Sequence, residues 1–261
     1  MKKKFILGLT VGLLGIVSYS AQGKTPAPSI LQSPMKKAEE GVGMKALRKA
    51  ALEKKHLFLF IYEKDDAETR ALKKSFEAVM AKMADSSNWV GIDKKAEKKL
   101  LEKYRLTTAP TPFVLVVAPN GAVTGGIKDL SESRIRQSIA SPGLQVCLKA
   151  LQARKFVLLC IQGPSNRMNQ AALRGARDFK DDPQFSHFTE IVFLDPSAPS
   201  EASFLKKLGI APDSEETNTV FLAPPDSILA KMTGKTSKED FVDALSKFSA
   251  NYGPGGSTLR K

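Results

Sequence analysis

Side chains able to do chemistry are sparse in this chain of 261 residues, which holds two cysteines and two histidines. Thiol chemistry needs a thiolate, and thiolates are favoured at helix starts or beside a base. Cys147 lies between Val146 and Leu148 in an amphipathic pattern, and Cys160 lies inside the apolar run 156–161, so both read as small buried hydrophobes. A disulfide between Cys147 and Cys160 stays open at this stage, because thiols tend to oxidise outside the cytosol and only geometry decides whether two of them meet. His56 and His187 are too few and too far apart for a zinc enzyme, and they serve no Ser-His-Asp set. Glu63, Asp65, Asp66 and Glu68 form an acidic cluster of oxygen ligands, but without EF-hand spacing. Helix capping explains the cluster better, with Asp65 as N-cap, Glu68 completing a capping box, and the other carboxylates near the positive end of the helix dipole. Gly234-Lys235-Thr236 ends like a phosphate loop, but Leu229 stands where the first glycine is required. These residues imply no metal and no cofactor.

The elements that must position them follow from composition and periodicity. At 42% hydrophobic and 26% charged residues the chain is globular, and its length suits two domains. Lys2, Lys3 and Lys4 followed by the apolar run 5–17 and small residues up to Gly23 read as a secretory signal over 1–23. The run is shorter than the roughly 20 residues a spanning helix needs, so the expectation is export to a periplasmic or extracellular compartment with no membrane span after cleavage. Residues 24–42, with Pro26, Pro28 and Pro34, read as a linker. The net charge of +13 does not argue for specific nucleic-acid binding, because lysine outnumbers arginine 30 to 10 and lacks the planar fork that reads phosphates and bases. Lys94, Lys95, Lys98, Lys99 and Lys103, interleaved with Glu97 and Glu102, read as a solvated helix face.

Periodicity predicts helices over 45–54, 66–84, 94–104 and 131–139, with strands over 56–62, 89–92, 113–117 and 122–127, the last two joined through Pro119-Asn120-Gly121. After Ser141-Pro142-Gly143 the order begins again. A helix over 144–153, strands over 156–161 and 190–194, a helix over 200–208, strands over 219–222 and 228–232 around Pro224-Pro225-Asp226, and a helix over 237–248 follow at an offset near 100. Ser165, after Pro164, is placed as the N-cap of the long helix of this second copy. Short, fully apolar strands imply α/β units with sheets covered on both faces. The expected organisation is one domain over 43–141, a second over 142–250, and a flexible tail over 251–261 around Gly253-Pro254-Gly255-Gly256-Ser257.

The first copy resembles the thioredoxin family, carried by strand 57–62, a loop, a long helix, then Thr111-Pro112-Phe113-Val114-Leu115-Val116 and the Pro119-Asn120-Gly121 turn. The resemblance implies two tandem thioredoxin-like domains, each a mixed sheet flanked by helices. It also implies a cis proline at Pro112, with Pro110 as the rival position, and a loop at Thr111 and Pro112 that captures extended polypeptide. The family's oxidoreductases carry two cysteines, two residues apart, at the start of the long helix. Here those positions read Asp66-Ala67-Glu68-Thr69 in the first copy and Asn166-Arg167-Met168-Asn169 in the second, and Asn218 or a neighbour stands in place of the cis proline. Dithiol exchange by the family mechanism therefore has no nucleophile at Asp66, Thr69, Asn166 or Asn169. The expectation is a redox-inactive binding or scaffold protein of the cell envelope with a polypeptide partner. The competing reading is a divergent thiol-disulfide oxidoreductase using Cys147 and Cys160. Oligomeric state is left open.

Overall fold

The computed structural model describes residues 40–162, 167–211 and 216–252. The signal segment, residues 24–39 of the linker, Ser165, Asn166 and the tail from residue 253 lie outside the described residues. The first unit runs α1 (Val42–Leu52), β1 (His56–Tyr62), α2 (Ala67–Ala81), β2 (Ser87–Asp93), α3 (Lys98–Lys103), β3 (Phe113–Val117), β4 (Val123–Ile127) and α4 (Glu132–Gln137). The second runs α5 (Pro142–Gln152), β5 (Phe156–Ile161), α6 (Arg167–Asp181), β6 (Thr189–Leu194), α7 (Ala202–Leu208), β7 (Asn218–Ala223), β8 (Ser227–Thr233) and α8 (Lys238–Tyr252). Short 3-10 turns precede β6 and α7.

Each unit builds its own four-stranded mixed sheet, ordered β2-β1-β3-β4 and β6-β5-β7-β8. β1 pairs parallel to β2 and antiparallel to β3, and β5 pairs in the same way with β6 and β7. The central strands carry almost unbroken apolar sequence because both of their faces are covered. Alternation along β1 sends Leu57, Leu59 and Ile61 to a core with Ala50, Leu100 and Leu101, and Phe58 and Phe60 to a second core with Phe76, Met80 and Ile135. β5 repeats the division, with Val157, Leu159 and Ile161 on one face and Leu158 and Cys160 on the other.

Two local expectations are corrected. The fold begins at Val42 rather than after a linker ending there. The third helix covers only Lys98–Lys103, because Glu97 turns inward instead of lying on a solvated face: it is 8% exposed and accepts the Gly43 N–H at 3.1 Å. The second unit has the same device. Glu201, 5% exposed, accepts the Gly143 N–H at 2.8 Å and the Ser141 hydroxyl at 2.6 Å. A buried carboxylate thus pins the start of the first helix to the start of the third in each unit, answering helix-end amides that have no partner within the helix. Gly43 and Gly143 permit the close approach: a Cβ on Gly43 would lie 2.5 Å from a Leu100 methyl, and one on Gly143 would lie 2.9 Å from a Leu194 methyl.

The units meet through α5 and the edge of β4. The Gln152 side chain brackets Val123, accepting from its N–H at 3.0 Å and donating to its carbonyl at 2.7 Å, and the Asn120 amide donates to the Gln145 carbonyl at 2.8 Å.

Candidate functional site

In the first unit β1 ends at Tyr62 and the chain turns into α2, while β3 starts at Phe113 opposite Ile61, so the Thr111-Pro112 step lies at the same sheet end as the start of α2. The Thr111-Pro112 bond is cis and both residues are half-buried, with Pro112 rather than Pro110 in that position. The N-cap is Asp66, not Asp65 as the capping-box pattern predicts: its carboxylate accepts the Thr69 N–H at 2.8 Å. Asp65 instead lies 3.6 Å from Arg70 on the surface. The one-residue difference puts Thr69 at the third helical position, where a capped amide is needed, and leaves Glu68 outside the box. The hydrogen bonds from Thr69 hold the Asp66 carboxyl below the usual aspartate range. The two positions that would hold reactive thiols therefore satisfy each other, as anion and donor.

One member of this sheet end escaped the sequence reading. Lys94, expected on a solvated helix face, is not helical; its ammonium donates to the Ala109 carbonyl at 2.9 Å and lies 3.9 Å from Glu63. Its side chain is 17% exposed, and it ties the end of β2 to the loop that leads into Thr111 and Pro112. A lysine directly after a strand's last residue was the available signal, hidden by the neighbouring lysines.

In the second unit, register places Asn218 opposite Ile161, so Thr217, its neighbour, takes the place of Pro112. Thr217 donates its hydroxyl to the Asn169 side-chain oxygen, and both residues are buried. Gln162 donates to the Asn169 carbonyl at 3.2 Å. The position expected to be a degenerate active-site residue is thus a buried polar link between α6 and the start of β7. Beside it lies a groove of about 380 Å3 lined by Gln162, Leu173 and Phe193, and Phe193 is 56% exposed.

Both cysteines are free and buried in this structure. Cys147 packs in the α5 core and Cys160 in the opposite core, with the second sheet between them. Burial pushes the Cys147 thiol up to about 12, aided by the nearby Glu201 charge, and the Cys160 thiol up to about 11. Among the described residues no cluster of His, Cys, Asp or Glu could hold a metal ion, and no helix is long and apolar enough to cross a membrane.

Residues 49–137 match the family model described as a thioredoxin-like domain. No curated protein is similar in sequence. Among solved structures, the first two thioredoxin domains of Eps1p from Naumovozyma dairenensis are 9% identical, with 83% of this chain and 98% of that one covered at a TM-score of 0.30. Fasciola hepatica thioredoxin is 14% identical over 37% of this chain and 88% of its own, with a TM-score of 0.30. Human ERp44 in its zinc-bound form is 12% identical over 79% of this chain and 58% of its own, with a TM-score of 0.32. With the family match on the first unit and the same order, pairing and pinning carboxylate in the second, the chain folds as two tandem thioredoxin-like domains, and its sequence has no paired cysteines at either helix start.

Proposed function

We propose that the protein is a redox-inactive thioredoxin-like binding protein of the cell envelope, exported by its basic and apolar N-terminal segment, which captures polypeptide at the sheet end formed by Thr111 and Pro112. The observation that carries the reading is the Asp66 carboxylate, committed to the Thr69 amide, where dithiol exchange needs a thiolate. The loop before β3 is retained and braced by Lys94, so backbone groups of Thr111 can pair with an extended chain by strand-like addition. The competing reading, oxidoreduction by Cys147 and Cys160, has against it two buried thiols held protonated on opposite faces of one sheet.

The test combines insulin reduction with peptide-array binding by the wild type and a Thr111→Arg variant, whose longer side chain fills the space over the loop. The expected result is no insulin reduction above background and peptide capture that Thr111→Arg weakens. Reductase activity that disappears in Cys160→Ser would establish the enzyme reading instead, and binding untouched by Thr111→Arg would move capture away from this loop. Export is checked by the N-terminus of the protein recovered from its native compartment, expected after Gly23.

A further inference from the structure

We propose that copies of this chain associate head to tail, the α1 helix of one copy covering the β8 edge of the next as α5 covers β4 within the chain. The basis is the repeat. α1 and α5 correspond at a constant offset of 100 residues, which pairs Gly43 with Gly143, Lys49 with Lys149 and Leu52 with Gln152. Strand register gives the other side of the contact. Leu57 pairs with Val117 and Val117 with Val123; in the second unit Val157 pairs with Leu222 and Leu222 with Ile228. Ile228 is therefore the counterpart of Val123 and, counting back through the turn, Asp226 is the counterpart of Gly121.

Within the chain, Gln152 brackets Val123, and the Lys149 ammonium lies 3.3 Å from where a Cβ on Gly121 would be. Substituting the counterparts replaces the glycine contact by an ion pair and the two backbone hydrogen bonds of Gln152 by an apolar contact. Lys49 of one copy meets Asp226 of the next, where Lys149 lies beside Gly121. Leu52, 85% exposed at the end of α1, meets Ile228, 44% exposed on a strand that has no partner on its outer side among the described residues. In a lone copy Lys49 lies 3.8 Å from its own Glu53, an exposed pair too weak to prevent the exchange.

The longer α8 does not take the vacant place. A groove of about 940 Å3 runs between it and β8, lined by Ile228, Ala230 and Met232 on one side and by Asp243, Lys247 and Phe248 on the other. Because the two surfaces differ, the contact is heterologous, and it builds open chains or rings rather than a two-fold dimer. With two side-chain contacts at its centre, the association is expected to be weak and concentration-dependent.

Sedimentation of the full chain at physiological salt tests this. The weight-average mass is expected to climb from one copy toward two and beyond with concentration, while Leu52→Glu and Ile228→Lys each hold it at one copy with unchanged far-UV circular dichroism. A mixture of these two variants should form dimers and stop there, because each retains the face the other lacks. Asp226→Lys should abolish association, and Lys49→Asp in the same chain should restore it. The proposal is overturned if the wild type stays at one copy throughout, if association survives Leu52→Glu and Ile228→Lys, or if the mixed variants fail to pair. It is likewise overturned if the β8 edge takes up an extended peptide while the chain itself remains single.

Discussion

At the scale of single residues, burial governs what the titratable groups can do. Burial pushes the Cys147 thiol up to about 12 and the Cys160 thiol up to about 11, which disfavours the thiolate that attack on a disulfide needs. With Ellman's reagent at pH 8 the native protein is expected to show no reactive thiol within minutes, and both after denaturation; one fast native thiol would contradict this. His56, at the start of β1, is 6% exposed, with its ring hydrogen-bonded to the Ala140 carbonyl and Nε2 unpartnered. Desolvation outweighs that hydrogen bond and holds the imidazole below its ordinary 6.5. The unfolded chain then binds the proton more readily, so stability is full above that value and falls as pH drops below it. Urea midpoints followed by Trp89 fluorescence should decrease between pH 7.5 and 5.5 in the wild type and change less in His56→Gln; equal slopes would remove His56 from the account.

At the scale of elements, the repeated carboxylate is the device that makes each unit a closed module. Glu201 receives two hydrogen bonds, and bonds to a charged acceptor contribute more than neutral ones, so Glu201→Ala is expected to cost about 3 kcal/mol and Glu97→Ala, with one such bond, about 2 kcal/mol. Denaturant titrations measure both, and losses below about 0.5 kcal/mol, the range of ordinary surface changes, would reduce the carboxylates to bystanders. Sequence exposed the strands well, because 56–62, 113–117 and 156–161 are continuous apolar runs whose boundaries the structure reproduces. It also exposed the missing cysteines, which are a matter of residue identity at a position, whereas the cis state of Pro112 was an expectation carried by the family resemblance. Glu97 and Lys94 were not legible. Their partners, Gly43 and Ala109, are set by tertiary approach, and in a lysine-rich stretch both residues look like solvated helix. The cap slipped by one residue for a similar reason: Asp65 and Asp66 are equivalent by type, and only the backbone selects which of them reaches the Thr69 amide.

For the whole molecule, separate cores on two sheets joined by a few side-chain to backbone hydrogen bonds predict loosely coupled units. Trp89, the single tryptophan, sits on β2 and reports the first unit alone. Limited proteolysis should cut within 138–143 and leave two resistant fragments, and Glu201→Ala should shift the circular dichroism transition more than the Trp89 transition. One cooperative transition moving identically by both probes would show the units to be a single folding body.

The central claim is that this protein binds polypeptide without thiol chemistry. It is tested most directly by fluorescence anisotropy of an array-selected, labelled peptide titrated with the wild type and with the thiol-free Cys147→Ala/Cys160→Ala variant, folding being checked by circular dichroism. The account predicts the same dissociation constant for both within about twofold, a difference of roughly 0.4 kcal/mol. Loss of binding in the folded thiol-free variant would contradict it.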